Sequence, residues 1–338
     1  MLQARQAQIL RLIIDDYIAS ANPVGSATIV RRHGLGVSSA TVRHAMAELE
    51  EQGYINHPHT SAGRIPSDKG YRYYVEALME EEEVDVTTRV TIQHQFHQVT
   101  TDLEEWVQLA ASVLSRLTGT AALVSRPRSP QVRLRRVELV MLQEFLALLV
   151  MVLQESRLKR QLVSFEEPVT QEGLDQIAQQ MNASLAGRSL ADVGDLLPPP
   201  GRAEQQVWRA ATRVLQSLEE QASEDVYVDG LRQLLRQPEF SRGERGHQVL
   251  ELLADPRVLG DILPRLLAGE GVRVLIGAEN EEETMRECSL ILTRYGGAEV
   301  PGGLLGLLGP TRLPYERAIP TVRFMGQVME SLLAEIYR

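Results

Sequence analysis

Apolar residues recur at helical spacing from Ala4 to Ser20, where Ile9, Ile13 and Tyr17, flanked by Leu10 and Ile14, line one face. Asn22 and Pro23 break that helix. Ser26 is placed to cap a short second helix over 27–33, stopped at Gly34, where a left-handed backbone costs little. After a tight connection at 35–37, Ser38 or Ser39 caps a third helix that runs to Gln52 and ends at Gly53. Tyr54 and Ile55 read as a short strand, and 57–67, with Pro58, Gly63 and Pro66, as a polar loop the size of a wing. A helix resumes over 68–79 with Tyr71, Tyr73 and Tyr74, whose rings are expected to pack rather than to stack on bases. The acidic run Glu80 to Glu83 closes the module. This order predicts a winged helix-turn-helix domain over residues 1–80.

Beyond it, the pattern predicts one long amphipathic helix over 90–117, then strands at 121–124, 134–142, 146–153 and 158–165. A helix over 174–185 precedes the proline linker at 198–201. Helical sequence follows at 204–223, 229–236, 248–253 and 259–267, strands return at 272–276, 289–294 and 303–308, and a last helix covers 315–337. A sheet that is interrupted and then resumed predicts a multidomain α+β chain. One α+β domain is expected over 90–190 and 268–338, with a mostly helical second domain inserted over 191–267.

The charge of −10 argues at first against nucleic acid, but its distribution reverses that reading. Residues 1–78 carry a net +1 and the remainder −11, so contact with phosphates is confined to the N-terminal module. The most apolar stretch, 137–153, contains Glu138, Gln143 and Glu144 and reads as buried strands, not a membrane span. The N-terminus has no secretory pattern. A lone cysteine, Cys288, excludes an internal disulfide framework. The expected setting is the cytoplasm. The alternation Cys288, Leu290, Leu292 makes that thiol a small core residue.

On the third helix, Val42, Ala45, Met46 and Leu49 share an inward face, while Ala40, Arg43, His44, Ala47 and Glu51 face outward with Ser39 and Thr41 on the shoulders. All three acids, Glu48, Glu50 and Glu51, lie in its C-terminal half. A helix presented tip-first to a major groove needs that polarity. Arg43 suits guanine O6 and N7, His44 an acceptor edge, and the methyls of Ala40, Thr41 and Ala47 the methyl of thymine. Ser38 and Ser39 suit a phosphate oxygen at the helix N-terminus. In the wing, Thr60, Ser61 and Arg64 are the candidate contacts, and an arginine beside Gly63 can approach a minor groove closely.

The strings PVGS (23–26), SSATVRHAMAELEEQGYI (38–55), HTSAGRIPSDKGYRYYVEALM (59–79), VYVDGLRQLLRQPEF (226–240), VRVLIGAEN (272–280) and GLLGLLGPTRLPY (303–315) together resemble the heat-inducible transcription repressor HrcA family, across essentially the whole chain. The resemblance implies a winged helix followed by a GAF-like domain with a dimerising domain inserted in it. It implies repression of heat-shock chaperone operons through an inverted-repeat operator, the CIRCE element, bound as a homodimer. It also implies that the chaperonin GroEL maintains the repressor's activity, which heat stress removes. Where the family commonly has Asn-Asp after the recognition-helix arginine, this chain has His44-Ala45. Either that position is not a base contact, or the operator differs at one base pair per half-site.

No catalytic set stands out, and neither a metal nor another cofactor is expected. His57 with His59 and His94 with His97 are the close histidine pairs, and neither has neighbours at metal spacing. The glycines between 302 and 309 lack a P-loop lysine and fit a tightly packed hairpin. A small-molecule sensor with a DNA-binding head remains as a second function class; an enzyme is not expected.

Overall fold

A computed structural model of the chain describes residues 2–58, 63–99, 102–127, 133–153, 158–188, 193, 196, 198–220, 226–241, 244–254, 259, 271–296 and 301–336. It divides into two compact units, Met1–Pro127 with Val226–Arg338, and Arg128–Asp225.

The first unit opens with α1 (Ala4–Ser20), α2 (Ser26–His33) and α3 (Ser39–Glu51). Ile9, Leu10, Ile13 and Ile14 of α1, Ile29 of α2, and Val42, Ala45, Met46 and Leu49 of α3 are buried in one cluster. Each large aliphatic side chain buried this way contributes about 1.5–3 kcal/mol relative to exposure. Gly34 ends α2 at φ 59°, the left-handed cap its position called for. The strands β1 (Ile55–Asn56) and β2 (Ile65–Pro66) form an antiparallel ladder. Ser67 caps α4 (Asp68–Tyr73), and the chain then widens into a π turn, Tyr74–Leu78, so the expected helix over 68–79 is not one regular element. Tyr71 and Tyr74 are buried, as packing aromatics should be.

The single long helix expected over 90–117 is two: α5 (Val86–Gln98) and α6 (Leu103–Thr118). Asp102 supplies the physical reason, because its carboxylate accepts the Glu104 N–H and starts a new helix. Strand β3 (Ala121–Ser125) follows, and the chain passes into the second unit.

That unit contains β4 (Leu134–Gln143), β5 (Leu146–Leu153) and β6 (Leu158–Ser164), an antiparallel sheet in the order β4-β5-β6. With α7 (Gln171–Leu185) and α8 (Arg202–Glu220) it forms a separate core in which Ala147, Leu149, Met151, Ile177, Trp208 and Leu215 are buried.

The chain rejoins the first unit at β7 (Val226–Asp229), which pairs with β3. Then come α9 (Leu231–Leu235), α10 (Glu244–Ala254), β8 (Arg273–Ile276), β9 (Cys288–Tyr295), β10 (Gly303–Pro310) and α11 (Tyr315–Ile336). The resulting antiparallel sheet runs β7-β3-β10-β9-β8. One face, with Ile291, Leu305 and Leu307, joins the core shared with α1–α3, α6 and α11. The other, with Leu123, Leu290 and Leu292, packs on Leu234, Phe240 and Val249. Cys288 is buried in this second core, which pushes its thiol up to about 12.

The inserted unit therefore differs from the segment expected over 191–267. Among the described residues β4, β5 and β6 pair with one another and not with the larger sheet, while β7 returns to β3, so the insertion spans Arg128–Asp225 and is α+β instead of mostly helical. Hydrophobic periodicity gives strands but not their partners. The helix expected over 259–267 lies, apart from Leu259, outside the described residues.

Candidate nucleic-acid interface

Ser38 caps α3: its hydroxyl accepts the Thr41 N–H at 3.1 Å and lies 2.9 Å from the Thr41 hydroxyl. The Ser39 hydroxyl is 3.0 Å from that of Ser26 at the start of α2, so the two helix tips are held together. Ala40, Arg43, His44 and Ala47 are exposed along one face, and Thr41 is half-buried beside them. Arg43 makes no hydrogen bond or ion pair among the described residues. His44 is different, with its Nε2 3.4 Å from a Glu48 carboxylate oxygen. The other Glu48 oxygen accepts from the Gln6 amide at 2.9 Å, which ties this acid to α1.

Arg64 is not a free wing cation. Its guanidinium meets Glu50 at 2.7 Å, with side chains only 20% and 32% exposed, and its backbone pairs in both directions with Val24. Gly63 is required by the same junction: a Cβ there would lie 2.5 Å from the Val24 carbonyl carbon. The base of the loop is thus fastened to the turn before α2 and to the back of α3. Thr60 and Ser61 lie outside the described residues. The structure brings Ser38, Ser39, Ala40, Thr41, Arg43 and His44 together on one helix tip, and gives Arg64 a holding geometry.

Glu50 was not legible as a site residue, because its partner is fourteen positions away across a loop. Arg72 was likewise only a charge in the sequence. In the structure it donates to the Val274 carbonyl at 2.7 Å and forks onto Glu279, while Asp68 accepts the Ala278 N–H at 2.9 Å. Burial alone would raise the Glu279 carboxyl; the Arg72 guanidinium and the Ile276 N–H together bring it below its ordinary value. A second link passes through Tyr74, whose hydroxyl lies 2.7 Å from both Asp15 and Glu316. The helical head is thereby joined to β8 and α11 by polar bonds as well as by the shared core.

Among the described residues no three His, Cys, Asp or Glu side chains stand together as a metal site, and no helix is long and apolar enough to cross a membrane.

The family model for the HrcA protein C-terminal domain matches residues 104–319. The heat-inducible transcription repressor HrcA of Roseiflexus sp. (strain RS-1) is 43% identical over 344 residues, covering 99% of this chain and 96% of its own. That of Chloroflexus aggregans is 42% identical over 353 residues, covering 99% and 94%. A crystal structure at 2.2 Å, described only as that of a hypothetical protein, shares the fold over 99% of both chains with a TM-score of 0.64 and 27% identity. A helical head with an exposed, acid-free tip on an α+β body, together with these relatives, defines a transcription repressor. The chain belongs to the heat-inducible transcription repressor HrcA family.

Proposed function

We propose that residues 1–80 are a winged helix-turn-helix, and that α3 enters the major groove of an inverted-repeat operator of the CIRCE type controlling heat-shock chaperone operons. The observation that carries this reading is the contrast along α3. Among the described residues Arg43 stands unpaired at the exposed N-terminal half, while Glu48 and Glu50 are held by Gln6, His44 and Arg64. A phosphate surface approached by that tip meets serines, small side chains and the Arg43 guanidinium, with the acids turned away.

In the same reading the five-stranded domain is GAF-like and Arg128–Asp225 is the dimerising unit. Strand β5 is apolar on both faces, and across the sheet Val140, Leu148 and Leu162 stand in one register row on the face that α7 and α8 leave open. Val140 and Leu162 are 47% and 53% exposed. A two-sided apolar strand is normally covered on both sides, and a second copy about a two-fold axis covers it most simply. Such a dimer presents two α3 helices to two half-sites. GroEL is proposed to maintain the active repressor and heat to remove it. The sensor alternative is less well supported, since both faces of the five-stranded sheet are filled by side chains.

The test is a gel-shift titration of the purified protein on the inverted repeat. Binding is expected in about the nanomolar range and to weaken steeply with salt. No binding at low ionic strength sinks the reading. Co-purification with GroEL and its loss in a chaperonin-depleted extract test the partner.

A further inference from the structure

In the second unit, the edge strand β6 and the helix α8 flank an open groove of about 860 Å³. Four cations line it, Lys159 and Arg160 from the strand and Arg209 and Arg213 from the helix, and among the described residues the lining contains no acid. Among the described residues none of the four side chains takes part in an ion pair or a hydrogen bond. In a region of the chain that is otherwise acidic, a channel lined by four cations calls for an anionic occupant.

The shape of the groove narrows the class. Among the described strands β6 pairs with β5 alone, so its outer edge presents backbone donors and acceptors that none of them meets. The Leu162 carbonyl takes a hydrogen bond from the neighbouring Gln161 amide at 3.1 Å, a side chain standing where a strand would donate. Residues 159–164 line the channel, and six residues of strand span about 20 Å, the length of an extended hexapeptide. Val163, Ala210 and Val214 supply apolar contacts between the charges.

We propose that this groove binds an extended, acidic polypeptide segment of a partner protein by strand addition to β6. The partner backbone continues the β4-β5-β6 sheet while the carboxylates on its helix-facing side meet Lys159, Arg209 and Arg213. Nucleic acid is disfavoured because the lining holds no aromatic ring for a base to stack on. A second copy of β6 is disfavoured because it carries two cations and no acid, and would add them to a channel that already holds four.

The probe is a fluorescein-labelled hexapeptide of alternating glutamate and valine, titrated by anisotropy into the full-length protein. Saturable binding is expected, weakened by salt. It should fall about tenfold or more in the double variant Arg209→Glu/Arg213→Glu, whose substituted side chains are both exposed and whose circular dichroism should match the parent. The same peptide N-methylated at alternate backbone nitrogens should bind weakly, since it keeps the charge and loses the strand pairing. Absence of saturable binding, equal binding by the double variant, equal binding of the methylated peptide, or equal displacement by oligothymidylate each overturns the proposal.

Discussion

Arg64 separates two ways of holding DNA. If its role is to fasten the loop base to α3, removing either end of the Arg64–Glu50 pair releases the same junction. The ion pair is 2.7 Å long between side chains 20% and 32% exposed, more sheltered than a surface pair. Exposed pairs contribute about 0.2–1 kcal/mol and charged hydrogen bonds about 1.5–3 kcal/mol, which places this junction near 1–2 kcal/mol. If operator binding needs the loop in place, Arg64→Ala and Glu50→Gln should each weaken it by about 5- to 30-fold. The double variant should be little worse than either single one, because both remove one interaction. A gel-shift double-mutant cycle at fixed salt measures this. A direct phosphate contact makes the opposite forecast: Glu50→Gln frees the guanidinium and leaves binding unchanged or tighter, while Arg64→Ala alone weakens it. That pattern would refute the fastening role.

Three further outcomes follow from the same geometry. Arg43→Ala should weaken operator binding and flatten discrimination at one base pair per half-site by about 1–3 kcal/mol, read by competition between single-base operator variants. Val140→Asp, at a position 47% exposed, should leave the monomer folded and shift sedimentation from dimer to monomer; an unchanged dimer would place the interface elsewhere. Glu279 ionises below its ordinary value in the folded chain, so its stabilising contribution is present above the unfolded carboxylate range and is lost as pH falls through the lowered value. The Tm difference between the parent and Glu279→Gln should therefore be largest at neutral pH and shrink as the pH falls through and below the ordinary carboxylate range.

The head was legible because its signals are local. Serine caps, Gly34 and the 3.6-residue apolar period each act within a turn or two, and Ser38, Val42, Ala45, Met46 and Leu49 stand where they assign them. The break at Asp102 was missed because 90–117 keeps its amphipathic period across a cap whose effect is one side-chain bond. The insertion boundary was missed for a different reason. An apolar strand carries no label of its partner, and only the return of β7 to β3 shows that β4 to β6 form their own sheet. Among the candidate contacts, the exposed tip of α3 followed from spacing, whereas Arg64 turned inward because Glu50 and Val24 lie near it only in three dimensions.

The central claim is that the tip of α3 lies in the major groove, once in each half of an inverted repeat. Cys288 is buried and its thiol pushed up to about 12, so a cysteine placed at the exposed Ala40 can be labelled selectively. An iron chelate attached through Ala40→Cys should cut the operator in two clusters related by the repeat's symmetry, each centred on a half-site. Cutting that is absent, single or scattered while the labelled protein still binds would contradict the account.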